Sequence, residues 1–150
     1  MGLIEKFSGK VVYLDTAPLI YFIEGNFKYF EFLKSIFEAN DRGDFLFVTS
    51  AITITEVLSF PNTFRDRNLV KMYDQVFHNS KTLAVLPVGF SEARTAAEYR
   101  VTHRLKTPDA LHLATASEYR ADFFFTNDFD FHGKSPVALI NLDVWLKKKK

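Results

Sequence analysis

Four acidic residues occupy positions from which they could act together on one substrate. Asp15 follows the apolar, β-branched run Val11–Leu14, and Asp128 lies just past a run of three phenylalanines. Glu56 lies in a predicted helix after the second predicted strand, and Asp109 lies in the first turn of a later helix. In open α/β sheets, ligands bind at the edge where strands end and helices begin. The sequence therefore predicts that these four carboxylates meet at that edge.

Crowded carboxylates of this kind indicate metal chemistry. Four carboxylates within a few ångströms of one another do not all stay ionised without a cation. Oxygen-only ligands favour Mg²⁺ or Mn²⁺ over zinc, and the chain contains no cysteine to bind a softer metal. One or two such ions activate water and stabilise in-line displacement at phosphorus. The residues alone therefore predict metal-assisted hydrolysis of a phosphate ester, with the number of ions left open.

The segment from Lys106 to Phe131 places two of these acids. Thr107 is the predicted N-cap of a helix, Pro108 suits its first position, and the helix is expected to run to about Arg120. A short apolar run follows as a buried strand, and polar residues then crowd its carboxyl end.

Strands and helices alternate along the whole chain. The predicted strands are residues 11–14, 45–48, 83–88, 123–125 and 137–142, and the last is expected at an edge of the sheet. The predicted helices are residues 18–24, 27–40, 51–60, 68–79, 91–104 and 107–120. This alternation predicts an α/β fold with a parallel sheet and helices on both faces. We expect one domain, residues 1–146, and a solvated lysine tail at 147–150.

Composition limits the function classes. The 150 residues suffice for one domain with a real core, and 17 phenylalanines argue against disorder. The absence of cysteine excludes disulfides, zinc–thiolate sites and cysteine nucleophiles, and it is compatible with a reducing cytoplasm. The first dozen residues lack the apolar core of a secretory signal, and no run is long enough to span a membrane. A soluble cytoplasmic protein is expected.

Net charge excludes a globally basic, nucleic-acid-coating protein. The formal charge is +1, but without the four terminal lysines 15 basic residues face 18 acidic ones. Any contact with nucleic acid must therefore come from a local patch. The candidates surround the helix that leads into Asp109, and a solvated helix face explains them equally well. They are Arg94, Arg100, Arg104 and Lys106.

Four segments together resemble a known family. In order, they are LDTAPLIYFIEGN at residues 14–26, SAITITEVLS at 50–59, LKTPDALHLATA at 105–116 and FFFTNDFDFHG at 123–133. In order and spacing they resemble the PIN domain, most closely the VapC-type toxins of bacterial and archaeal toxin–antitoxin pairs.

The resemblance implies a specific fold and activity. The fold would be a three-layer α/β/α sandwich with a central, mainly parallel sheet, and the activity a magnesium-dependent ribonuclease. Asp15, Glu56, Asp109 and Asp128 would fill the four acidic positions of the family. The three aspartates would be metal ligands, and Glu56 would be a ligand or a base that orients water.

The resemblance also implies helpers and partners. Thr16, Thr126 and Asn127 match the polar neighbours that orient the acids. A small VapB-type antitoxin, encoded beside the chain, would block the site, and a homodimer would be the basic unit.

Other interpretations remain open at this level. A haloacid-dehalogenase-type phosphatase would need a second acid where Ala17 stands, and a receiver-type phosphoacceptor domain would need an Asp where the third strand ends in Pro87-Val88. A non-catalytic PIN-like scaffold stays possible. Individually, Asp15 and Asp109 could be helix caps, Glu56 a solvated helical residue, and Asp128 and Asp130 turn residues. His112 follows Asp109 at i+3, so it is either a hydrogen-bonded core histidine or a site residue.

Overall fold

Five parallel strands form the centre of the fold. The computed structural model of the chain describes residues 1–60 and 63–148. The strands are β1 (Val11–Leu14), β2 (Leu46–Ser50), β3 (Leu83–Leu86), β4 (Phe123–Thr126) and β5 (Ala138–Asn141). Their order across the sheet is β3-β2-β1-β4-β5, and every neighbouring pair is parallel. The predicted α/β class, the parallel sheet and the edge position of the last strand are confirmed.

Helices connect these strands and cover both faces of the sheet. They are α1 (Leu3–Phe7), α2 (Thr16–Ile23), α3 (Phe30–Asp41), α4 (Ala51–Ser59), α5 (Arg67–Asn79), α6 (Phe90–His103), α7 (Thr107–Glu118) and α8 (Leu142–Lys148). Two short 3₁₀ helices lie at Thr63–Arg65 and Phe129–Phe131. None of the helices in the described part of the chain has the length and apolar character that crossing a membrane requires.

Side chains alternate between two cores along the central strands. Val12 and Leu14 of β1 lie in the larger core, against α1, α3 and α5, while Tyr13 lies in the smaller core against α7. In β4, Phe125 and Phe124 divide in the same way. This division follows from the two-residue period of a strand, and it produces the three-layer sandwich.

The strand order reverses beside β1. From β1 the chain moves outward through β2 to β3, and it then returns to β4 on the other side of β1. The crevice between β1 and β4 is therefore the topological switch point, where open α/β sheets bind their ligands. Asp15 follows β1 directly, so the fold places this carboxylate at that crevice.

Several element boundaries differ from the predictions. Helix α1 is five residues long, too short for a helical period to be visible, although Leu3 and Phe7 are both buried. Leu142 starts α8 instead of ending the last strand. Lys106 is the N-cap of α7, and Thr107 is already helical, so the predicted cap is wrong by one residue.

The ends of two predicted segments lie outside the described residues. Pro61, before which α4 was predicted to end, lies outside the described residues. Within the described part, α4 ends at Ser59. Helix α8 includes Lys147 and Lys148 of the predicted tail, while Lys149 and Lys150 lie outside.

Candidate active site

The four predicted acids line one cavity at the switch point. This open cavity of about 440 Å³ is lined by Asp15, Glu56, Asp109 and Asp128, with His112 beside them. The acids come from four separate parts of the chain: the end of β1, helix α4, the first turn of α7 and the segment after β4. The structure therefore brings together residues that are up to 113 positions apart.

Asp15 is held through both carboxylate oxygens. The Thr16 backbone N–H donates to Oδ1 at 2.8 Å, and the Thr126 hydroxyl donates to Oδ2 at 2.7 Å. Asp15 is also the N-cap of α2 and is 7% exposed. Capping and membership of the site are therefore not alternatives, because the same carboxylate does both.

Glu56 is held by two partners on one oxygen. The Thr16 hydroxyl donates to Oε1 at 2.8 Å, and His112 contacts the same oxygen through Nε2. The ring nitrogen is also 3.8 Å from Oδ1 of Asp15. His112 is thus both a buried, hydrogen-bonded histidine and a site residue.

Charge stabilises this pair in its ionised form. Burial raises the pKa of Glu56, but the hydrogen bond and positive charge of His112 lower it by more, so the net pKa lies below its usual value. Burial lowers the pKa of His112, but the hydrogen bond to Glu56 and the charge of Asp15 raise it by more. Both directions favour a carboxylate beside an imidazolium.

A buried hydrogen-bonded chain fixes the His112 ring from behind. The Tyr13 hydroxyl donates to Ser50 Oγ at 2.8 Å and lies 2.7 Å from His112 Nδ1. Burial raises the pKa of Tyr13 above its usual value, so the hydroxyl keeps its proton. Having donated that proton to Ser50, the Tyr13 oxygen accepts from Nδ1–H. Phe124 stacks on the Tyr13 ring with centroids 5.1 Å apart, which fixes the chain against the sheet.

A second group of carboxylates converges around Asp109. Oxygens of Asp109, Asp128 and Asp130 lie within 4.8 Å of one another. Burial and the charges of Asp128 and Asp15 raise the pKa of Asp109 to about 6. Asp128 is the N-cap of the 3₁₀ helix that follows, and its Oδ1 accepts from the Asp130 N–H at 2.8 Å.

Sequence reasoning treated Asp130 as a turn residue, and this interpretation is incomplete. Asp130 does lie in a turn, but its side chain approaches Asp109 as well as Asp128. The only signal in the sequence was its position two residues after Asp128, which does not define a side-chain direction.

Two of the three expected helpers contact the acids. Thr16 contacts Asp15 and Glu56, and Thr126 contacts Asp15 while accepting from the Asp128 N–H at 3.0 Å. Asn127 faces away from them.

Asn127 has a structural role in the described part of the chain. Its side chain donates to the Tyr29 hydroxyl at 3.2 Å and accepts from the Asp143 N–H at 3.0 Å. It therefore joins the end of β4 to α3 and α8, and the expectation that it orients the acids finds no contact to support it. The preceding residue, Thr126 at the end of β4, contacts Asp15 instead.

The four basic residues named from sequence do not lie together. Ser91 and Thr95 of α6 donate to Glu118 at 3.1 and 2.6 Å, so Arg94 lies beside the C-terminal end of α7. Asp109 lies nine residues earlier on α7, or roughly 13 Å along a helix that rises 1.5 Å per residue.

The other three basic residues lie at the end of α6 that leads into α7. Arg100 donates from Nε to the Leu105 carbonyl at 3.3 Å, and Arg104 is the C-cap of α6. Lys106 is the N-cap of α7, three residues before Asp109. All three are exposed.

The donor set fits a hard divalent cation. The converging groups are carboxylate oxygens, the ligands that Mg²⁺ and Mn²⁺ prefer. The raised pKa of Asp109 shows that its negative charge is poorly compensated by the protein alone. Asp109, Asp128 and Asp130 would hold such an ion, with Asp15 on the adjoining wall of the cavity.

Comparison with known proteins identifies the family. The family model described as PIN domain matches residues 12–135, so the chain belongs to the PIN domain family. A comparison with curated protein sequences found no significant match.

Several solved structures share the fold. A toxin–antitoxin complex from Klebsiella pneumoniae has 23% sequence identity and a TM-score of 0.64, covering 87% of this chain and 97% of that one. DNA-bound VapBC from Salmonella typhimurium has 17% identity and a TM-score of 0.66, with 89% and 98% covered. VapC20 from Mycobacterium tuberculosis, described as a sarcin–ricin-loop-cleaving toxin, has 17% identity and a TM-score of 0.66, with 85% and 98% covered.

The pKa of Asp109 predicts how metal-free stability depends on pH. The pKa of the Asp109 carboxyl is about 6 in the folded protein, against an ordinary value of 3.8. The folded state therefore binds the carboxyl proton more tightly than the unfolded state. The stabilisation that this proton gives the fold is complete below pH 3.8 and is lost as the pH rises through about 6. In EDTA, Asp109→Asn should therefore melt higher than the wild type above about pH 6, and the difference should narrow as pH falls.

The matched control is Asp74→Asn, on the exposed side of α5. Its melting temperature should follow the wild type at every pH. A difference between Asp109→Asn and wild type that does not change with pH would contradict the electrostatic account.

The buried chain behind His112 makes a second prediction. Tyr13→Phe removes the hydroxyl that contacts Ser50 and His112, and leaves buried polar groups without a partner. We expect the free energy of unfolding in urea to fall by about 1–3 kcal/mol. Tyr119→Phe, at a 43% exposed tyrosine, should change it by less than about 0.5 kcal/mol. Equal stability of the two variants would show that the hydrogen bonds of Tyr13 contribute nothing to the stability of the fold.

Proposed function

We propose that the chain is a metal-dependent endoribonuclease, the toxin of a VapBC-type toxin–antitoxin pair. The observation that supports this most is the convergence of separate acids at the switch point, where burial and the neighbouring charges raise the pKa of Asp109. A protein gains nothing in stability from such crowding, so a bound cation is its simplest explanation.

Each residue of the site has a defined part in this proposal. Asp109, Asp128 and Asp130 would hold Mg²⁺ or Mn²⁺ together with Asp15, and the ion would supply an activated water and charge stabilisation at phosphorus. Thr16 and Thr126 fix the direction of the Asp15 carboxylate.

Glu56 adds a further carboxylate to the same cavity. Because Oε1 is held by Thr16 and His112, Oε2 is the oxygen available as a further ligand or as the proton acceptor for water. His112 acts on the reaction only through this carboxylate.

RNA is the proposed substrate. The support is membership of the PIN domain family and the shared fold with VapC20, which is described as cleaving the sarcin–ricin loop. Exposed Arg100, Arg104 and Lys106, just before α7, are placed to meet phosphates of a bound strand near Asp109.

The proposed partners follow from the same similarity. Chains of this fold occur in structures described as toxin–antitoxin or VapBC complexes. We infer a VapB-type antitoxin that covers the acidic cavity, a homodimer as the unit that it binds, and a cytoplasmic site of action.

The chemistry is tested by RNA cleavage with and without metal. Purified protein should cut tRNA or rRNA in Mg²⁺ or Mn²⁺, should be inactive in EDTA, and should leave 5′-phosphate and 3′-hydroxyl ends. Loss of outer partners of a metal site costs roughly 10–100-fold, so Asp109→Asn and Asp128→Asn should lose about 100-fold or more. Asp74→Asn is the control and should keep full activity. Cyclic phosphate products, or full activity in EDTA, would exclude the metal mechanism.

Thermal melts separate loss of metal from loss of fold. A ligand stabilises only the state that binds it, so excess Mg²⁺ should raise the melting temperature of the wild type. Asp109→Asn should lose most of that gain while remaining folded. An unchanged Mg²⁺ response in this variant would show that Asp109 is not a ligand.

The toxin role is tested in growing cells. Expression of the chain alone should arrest growth, whereas Asp109→Asn should be harmless. Co-expression of the small protein encoded beside it should restore growth and yield a stable complex. If wild type and variant are equally harmless and no small partner co-purifies, the non-catalytic scaffold becomes the better interpretation.

A further inference from the structure

A second cavity adjoins the acidic one through a shared residue. Its volume is about 590 Å³, within the ~300–1,000 Å³ range of small-ligand sites. Asp128 and Thr126 line it at one end, and Asp128 also lines the acidic cavity. The walls come from α1, the segment after β4, β5 and α8. A strand whose phosphate lies at the acids can therefore continue directly into this space.

The two cavities have opposite charge. Around the second cavity the basic side chains are Lys6, His132 and Lys148, and Asp128 at the shared end is the one acid among its lining residues. Lys148 is held in place by a cation–π contact, with Nζ 4.4 Å from the centroid of the Trp145 ring. The lysines lie where a polyanion leaving the acidic cavity would pass.

An exposed aromatic side chain lines the second cavity next to the shared residue Asp128. Phe129 directly follows Asp128 and is 57% exposed, although it lines the second cavity. Leaving this much of a phenylalanine in water is unfavourable, and a stacked base would cover it. Exposed aromatics next to lysines are the usual means of binding single-stranded nucleic acid without reading its sequence.

We propose that the second cavity binds the nucleotide adjacent to the scissile phosphate of a single-stranded RNA. Its base stacks on Phe129, and the next phosphate pairs with Lys148 and Lys6. The proposal rests on the proposed ribonuclease function and names the surface that holds the substrate beside the acids. A second copy of the chain fits less well, since it would need to place a complementary acidic surface against three basic residues.

Trp145, the only tryptophan of the chain, lines this cavity and reports on it. Titrating the wild type in EDTA with short oligoadenylate, where no cleavage competes, should change Trp145 fluorescence with a saturable affinity. Phe129→Ala should weaken that affinity by roughly 5- to 150-fold, since base–aromatic stacking is lost. Lys148→Ala should lower the slope of log affinity against log salt by about 0.7, the value for one phosphate contact on a single strand.

Matched control variants remove the same types of side chain at positions outside the second cavity. Phe27→Ala removes a phenylalanine that is 98% exposed and outside the cavity lining, and Lys71→Ala removes an exposed lysine of α5. Both should keep wild-type affinity and salt dependence. Circular dichroism of all four variants shows whether each is folded.

The outcomes distinguish this proposal from the proposed function. Hydrolysis of bis(p-nitrophenyl) phosphate in Mn²⁺ tests the acids without any RNA contact. If the wild type does not hydrolyse it, that result counts against the proposed ribonuclease function and not against the nucleotide subsite. If the wild type cleaves RNA but Phe129→Ala and Lys148→Ala bind oligoadenylate as it does, the subsite is wrong. Trp145 emission that depends on protein concentration and not on RNA would overturn it in favour of a chain–chain contact.

Discussion

Repulsion between carboxylates is the constraint that the rest of this structure must satisfy. Asp15, Glu56, Asp109 and Asp128 line one cavity, and Asp130 adds a fifth carboxylate at its edge. Each charge raises the free energy of the others, and burial together with these charges raises the pKa of Asp109 to about 6. His112 compensates part of this charge beside Glu56 and Asp15, and the proposed cation would compensate it beside Asp109.

The part of the site beside His112 is built into the core. His112 is 1% exposed, and the ring that contacts Glu56 is held on its other side by Tyr13, whose hydroxyl donates to Ser50. Tyr13 is fixed in turn by its stack on Phe124 in the smaller core. The direction of the Glu56 carboxylate therefore depends on the packing of β1 against β4 and α7. Asp128 and Asp130, by contrast, belong to a short 3₁₀ turn that Asp128 caps.

The acids and the second cavity form one continuous surface of changing sign. At Asp128 the lining passes from carboxylates to lysines, with Phe129 at the boundary. A metal ion makes the acidic part attractive to phosphate, and the basic part is attractive without one. Under the proposed function, this arrangement would orient an RNA strand along the surface before cleavage. The proposed RNA contact would thus be a local patch on a chain whose net charge is only +1.

The amino-acid sequence by itself determined the frame of the site. Apolar runs of strand length alternating with amphipathic segments were sufficient for the parallel sheet, because strand and helix periods are local properties. Acids at the ends of β1 and β4 and at the start of α7 followed from the same reading, since the position of a residue relative to its element is also local. The expectation that Thr16 and Thr126 approach these acids came instead from the resemblance to the family, which named Asn127 as well.

Only the tertiary structure decided which side chains meet. Asn127 and Asp130 are both polar and both lie within two residues of Asp128, yet one faces α3 and α8 while the other faces Asp109. Contacts between residues about a hundred positions apart, such as Tyr13 with His112, depend on how helices pack on the sheet. The same packing placed Arg94 at the far end of α7 and brought α1 and α8 to the second cavity. Local periodicity sets the face of an element on which a residue lies, but distances between elements are set by the packing of the whole core.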